Sequence, residues 1–307
     1  MFAAQLHPSP DIFQFRAHPE VWLLVAGLAA AYVYAIRVIG PRAVPAGESV
    51  VSRRQVGCFV AGLGLLWAVS DWPVHDLAEQ YLYSVHMVQH MVLSYFMPPL
   101  MLMAIPRWLA RLLVGDGKTH RVMRWLTTPV VAGVAFNAWL MVTHIPTIVN
   151  LSSTNGVLHY SLHAVLVGTS LMMWMPLCGP LPEFHRGPGG QMIYLFAMSV
   201  VPTVPAGWLT FAEKAVYKIY DHPIRAFGMS VTDDQQAAGV IMKIGGSVFL
   251  WVLITRLFFK RFMAGSTAES QRFRRVQDVV PLGQDLTYGH VESVFAATEP
   301  AKEGQIA

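Results

Sequence analysis

Two stretches of this sequence run on without a single Asp, Glu, Lys or Arg: residues 80–106 and residues 125–182. A bilayer hydrocarbon core about 30 Å thick is crossed by roughly 20 apolar residues of helix. The first stretch therefore has room for one crossing and the second for two. Composition agrees. Only 13% of the 307 residues are charged and 54% are hydrophobic, with a mean hydropathy of +0.44, whereas an average soluble chain is about 25% charged. That balance excludes a disordered, collagen-like or ordinary soluble chain. Cys58 and Cys178 are too few for a disulfide framework and too far apart for a CxxC motif.

Shorter runs complete the set. VWLLVAGLAAAYVYAI lies between Glu20 and Arg37, and QVGCFVAGLGLLWAVS between Arg54 and Asp71. The long stretch 125–182 divides at Pro146 to Gly156, where NLSSTNG reads as a turn. Residues 187–212 and 235–258 supply the last two, the latter interrupted by Lys243 and, near its end, by Arg256. The fold class expected is all-α, a polytopic membrane helix bundle of seven transmembrane helices. Residues 1–264 form the transmembrane domain. Residues 265–307, polar and without a strong period, are expected as a cytoplasmic tail lacking regular structure. The first 19 residues lack a basic n-region, so no cleavable signal peptide is expected.

Basic residues orient the bundle. They gather after the first span (Arg37, Arg42, Arg53, Arg54), after the third (Arg107, Arg111, Lys118, Arg121, Arg124) and after the seventh. The positive-inside rule makes these loops cytoplasmic, with the N-terminus outside and the C-terminus inside. The formal net charge of +4 then resolves into +8 inside, −5 outside and the one lysine, Lys243, within a span. The basic sum is a topology signal and implies no nucleic-acid partner.

Twelve histidines stand against this scarcity of charge. In the expected topology His86, His90, His144, His159 and His163 all fall in the outer half of the membrane, on neighbouring helices. Residues four apart share a helix face about 6 Å apart at Cβ, so His86/His90 and His159/His163 are two chelating pairs. Their surroundings also match locally, HMVQHMVL against HYSLHAVL. One intramembrane histidine is ordinarily a satisfied packing residue. Five at one depth, in two chelating pairs, point to a metal site.

Imidazole suits zinc, copper, iron and nickel, and thioether favours Cu(I). Met87 and Met91, four apart beside the first pair, would tilt the site toward Cu(I), although methionine is equally a filler of apolar gaps. Val88 stands where an HExxH protease carries its glutamate, and no Ser-His-Asp set or Walker loop appears. No enzymatic activity is expected. Outer-loop acids, among them Asp71, Asp76, Glu79 and Asp234, either funnel a cation or form a solvated rim. Lys243 must snorkel or meet an acid from another span, for which Asp71 is a candidate.

Several segments carry a likeness. HMVQHMVLSYFMPPLMLMAIPRW, HIPTIVN, LHYSLH, WMPLCGP, VYKIYDHP and DDQQAAGVIM occur in that order. The chain thereby resembles the CtaG-type cytochrome c oxidase assembly factors over about residues 20–262. The resemblance implies a seven-span protein of the inner (plasma) membrane, with cytochrome c oxidase subunits as partners and a chaperone-like part in copper handling. Its motif positions fall on His86, His90, His144, His159 and His163, and its late polar motif on Asp234, Gln235 and Gln236. Two other classes remain open at this point: a haem-binding electron carrier with two of these histidines as axial ligands, and a copper or other cation transporter.

Overall fold

The computed structural model describes residues 13–221, 225–279 and 287–297. Most of the segment read as lacking a signal peptide, His222 of VYKIYDHP and much of the tail lie outside them. Among the described residues all regular structure is helical and there is no strand. This is what an apolar chain requires, because a helix satisfies its backbone within the segment.

In chain order, α1 (Pro19–Ala43) is followed by α2 (Arg53–Ser70), bent by 43° from the short α3 (Val74–Gln80). Next come α4 (Tyr83–Ala104) and α5 (Arg107–Val114). Then α6 (Lys118–Leu126) meets α7 (Pro129–Thr143) at a 64° bend. The order closes with α8 (Pro146–Ser152), α9 (Gly156–Cys178), α10 (Pro188–Thr210), α11 (Val231–Ala264) and α12 (Tyr288–Ala297). Five of these helices are long and apolar enough to cross a membrane, and the two bent pairs raise the number to seven. The breaks have local causes. At the second bend Thr127 and Thr128 turn their hydroxyls onto the carbonyls of Met123 and Trp125, and Pro129 offers no N–H to continue the helix.

Two regions differ from expectation. Pro146–Ser152, read as part of a turn, is a helix with proline at its first position. The tail was expected without regular structure, yet the helix of α11 continues to Val279 and Tyr288–Ala297 is helical. Good helix formers and the absence of Gly or Pro between Ser266 and Val279 account for the continuation. The chain forms two compact units, residues 1–254 and 255–307; the site lies in the first.

Starts of helices follow from sequence. Ser52 and Gln55 form a reciprocal capping box on α2. Asn155 caps α9 by accepting from Leu158 N at 3.1 Å, and Ser230 caps α11 through Asp233 N. Helix α4 has no such residue of its own.

That helix is the centre of the bundle. Two-thirds (67%) of its most apolar window is buried, against 11% for α1. It packs on α2 and α9 with its second half and on α11 with its first. A π-helical turn at Val92–Phe96 precedes Pro98 and Pro99. Pro98 cannot donate to the Ser94 carbonyl one turn back, and Trp174 Nε1 of α9 takes that carbonyl at 2.9 Å. Close approach of α10 and α11 depends on Gly239: a Cβ there would lie 2.5 Å from Thr210 Oγ1 and 2.6 Å from the Ala206 carbonyl.

Candidate metal centre

The start of α4 is held from a distance. Asp234 accepts from Tyr83 N at 2.7 Å and Ser84 N at 3.1 Å, serving as an N-cap contributed by another helix. The next residue, Gln235, accepts from Val216 N and Tyr217 N and donates to the Tyr217 carbonyl at 2.9 Å. Tyr217 then donates to the His144 carbonyl at 2.9 Å. These bonds fix α4, α7 and the segment before α11 around one point, which is where the histidines converge.

His86, His90 and His163 each offer one ring nitrogen, and the three atoms lie within 4.8 Å of one another. His90 Nε2 and His163 Nε2 are 3.1 Å apart. Two ligands bound tetrahedrally at 2.0–2.1 Å would stand about 3.3 Å apart, by the bond lengths usual for imidazole on zinc. His159 and His163, one turn apart on α9, have ring centroids 4.3 Å apart; His86 and His90 are 4.4 Å apart. The fifth histidine, His144, stands 6.3 Å from His90 between ring centroids. The expected convergence of five histidines is therefore what the structure shows, with three forming the tight group.

Several nitrogens here have no hydrogen-bond partner. His90 Nδ1, His144 Nε2 and His159 Nε2 are buried and unpaired. For His144 the tautomer follows from its surroundings. Its Nδ1 lies 2.7 Å from the Leu140 carbonyl, which can only accept, so Nδ1 carries the hydrogen and Nε2 presents a lone pair. Buried polar atoms are normally paired, and an exception calls for an explanation such as an ion. A cavity of about 20 Å³ lies against His86, His90, His159 and His163, walled by Ser152 and Tyr220. That is room for one water-sized ion.

Glu79 belongs to the group, although its sequence position left it as either a cation funnel or a solvated rim. Its Oε1 is 3.0 Å from His86 Nδ1 and 3.2 Å from His159 Nε2, the latter pair off the hydrogen-bond line. A carboxylate behind one ring nitrogen orients the other toward a metal and raises its basicity. The sole hint in the sequence was a glutamate seven residues before His86.

Other candidates lie elsewhere. Met87 packs with Tyr83, Leu209, Tyr217 and Met242 in an apolar cluster. Met91 brings its methyl against α11, where a Cβ on Gly246 would meet it at 3.3 Å. Each methionine follows a histidine by one residue, a rotation of about 100° around the helix that turns it from the site. Asp71 accepts from Trp22 Nε1 at 2.8 Å and Trp67 Nε1 at 2.7 Å, tying α1 to α2. It is not the partner of Lys243, which donates to the Ser199 carbonyl at 3.1 Å and to Thr203 Oγ1. The break at Val201–Pro202 inside α10 leaves that polar backbone accessible to the lysine.

The model of the cytochrome c oxidase caa3 assembly factor family (Caa3_CtaG) matches residues 30–263. No curated protein and no solved structure matches the chain.

Proposed function

This chain belongs to the cytochrome c oxidase caa3 assembly factor family, and from that premise we propose that it binds Cu(I) at the His86–His90–His163 group and hands it to an oxidase subunit. The observation that carries this reading is the group of three imidazoles whose ring nitrogens lie within 4.8 Å of one another beside an ion-sized cavity, with the buried His90 Nδ1 left without a hydrogen bond. Charge supports a monovalent ion: neutral imidazoles with one Glu79 carboxylate and one Cu(I) sum to zero. A divalent ion would leave a net positive charge buried, which is costly. His144 and His159 stand by as exchangeable ligands, and Glu79 orients His86. Met87 and Met91 have no part as ligands.

The bundle sits in the inner (plasma) membrane with the histidines toward the outer face and the tail beyond residue 264 in the cytoplasm. The placement of Arg107, Arg111, Lys118, Arg121 and Arg124 at the opposite end of α4 from His86 supports this orientation. The protein catalyses no turnover; it holds and transfers.

The cavity that His86, His90, His159 and His163 share, about 20 Å³, is far too small for a haem ring, and the cavity of about 530 Å³ alongside meets only His163 of the five, which disfavours a haem held by two of them. Transport is disfavoured because polar side chains beyond His90 are sparse, and Ser170 among them bonds its own helix at Leu166.

The test uses the purified full chain and the His86→Ala/His90→Ala variant, each titrated with Cu(I) against a chromophoric chelator. Wild type should bind copper and the variant should not, while cells carrying the variant should yield oxidase short of copper. Normal oxidase copper and activity in those cells would sink the proposal.

A further inference from the structure

We propose that copper reaches the buried group along a row of carboxylates and imidazoles that opens at Glu20 and His18 and passes His75 and Asp76. The inference rests on the metal reading above and assigns the entry side.

The row is continuous and runs from solvent inward. Glu20 is 48% exposed at its side chain, and Oε1 lies 3.3 Å from Nδ1 of His18, itself 13% exposed. His18 Nε2 is 3.0 Å from Oδ2 of Asp76, which is 8% exposed. The ring of His18 stands 5.0 Å from that of His75, and His75 stands 6.1 Å from His159. From there Glu79 Oε1 lies 3.2 Å from His159 and 3.0 Å from His86, the first ligand of the tight group. No gap between successive rings or contacting atoms exceeds 6.1 Å.

Metal ions pass between such groups by ligand exchange: a bond to the incoming donor forms as one to the outgoing donor breaks, with no change in oxidation state. With bonds near 2 Å, donors about 4 Å apart can hold one ion together, and rotation of an imidazole covers the longer steps. Alternating carboxylates keep a cation stabilised while it sheds water.

An independent observation marks the middle of the row. Gln89, 1% exposed, donates from Nε2 to the Val69 carbonyl at 2.8 Å and approaches His75 Nδ1 at 3.3 Å. Its Oε1 is buried with no partner. An unpaired oxygen acceptor beside His75 is a donor atom for a passing cation, and a long N–H···N contact yields readily. On the side of α8 the cavity is walled by Val149, Ser152 and Ser153 and by Tyr220, which donates to the Ala78 carbonyl at 3.1 Å.

The experiment is stopped-flow loading of the full-length protein from the Cu(I)–bicinchoninate complex, whose colour fades as copper leaves it. His18→Gln/His75→Gln should load about tenfold more slowly and reach the same final copper per protein. Glu20→Lys changes an exposed residue and so tests the route even if the double variant misfolds. It should slow loading about tenfold at low salt, by reversing the steering charge, and less at high salt. Wild-type rates in both variants would overturn the route, as would less copper at equilibrium in the double variant, which would make these histidines part of the holding site. A wild type that takes up no Cu(I) overturns the metal reading, and the route with it.

Discussion

Two groups of buried polar side chains sit side by side in this bundle, and they are satisfied in opposite ways. Asp234 and Gln235, each 2% exposed or less, have every nearby donor or acceptor matched: the aspartate takes two backbone N–H groups, and the glutamine takes two and returns one. The histidines of α4, α9 and the end of α7 are also largely buried, yet His90 Nδ1 and His144 Nε2 face nothing that bonds them, and His159 Nε2 meets Glu79 only off the hydrogen-bond line. An apolar bundle tolerates the first arrangement as structure, since unmatched polar groups are what cost stability. The second is unfavourable for structure alone, and the copper site proposed above would account for it. Pairing separates a clamp from a site where burial cannot.

The strongest way to break this contrast is to remove both close histidines. His90→Leu/His163→Leu should lower Cu(I) affinity by more than about a hundredfold, read by chelator competition, because two of three ligands are lost. The metal-free protein should keep its thermal midpoint or raise it, since the stranded His90 Nδ1 is removed, the two rings bond chiefly each other, and apolar side chains of similar size replace them. A large fall in that midpoint would mean that the histidines were structural after all. Next in size comes the clamp. Asp234→Ala should cost about 2–4 kcal/mol of stability in denaturant titration, for a lost cap and two stranded N–H groups. Asp234→Asn keeps an accepting oxygen and should recover about half of that loss. An Asp234→Ala protein of wild-type stability would remove the distinction drawn here. The smallest effect belongs to Lys243→Met, about 1 kcal/mol or less by the same measurement, because the long apolar stem is preserved and only bonds to Ser199 and Thr203 go.

The membrane fold was legible because hydrocarbon imposes one rule on long uncharged runs, and the histidine convergence was legible because spacing of four and alternating helix direction fix face and depth. What escaped was contributed by residues distant in sequence. Glu79 was legible only as an outer-loop acid, funnel or rim, since nothing local shows that the bend after α2 swings α3 over the site. Asp234 joins Tyr83 and Ser84 across about 150 positions, so no pattern near either end records the bond. Lys243 seemed to need an acid, and found backbone exposed by the break at Pro202. Met87 and Met91 were adjacent to histidines in sequence, and the turn of the helix separates what adjacency joins.

The cap that Asp234 lends to α4 also has a consequence in time. Ribosomes deliver α4 early and α11 last among the long apolar helices, so the first chelating pair leaves the translocon with its helix start unmet. A nascent or truncated polypeptide ending before Val231 has all five histidines but no clamp to set the register of His86 and His90. The register of His86 and His90, on which the copper site proposed above depends, is therefore set only when the last of the long apolar helices is in place.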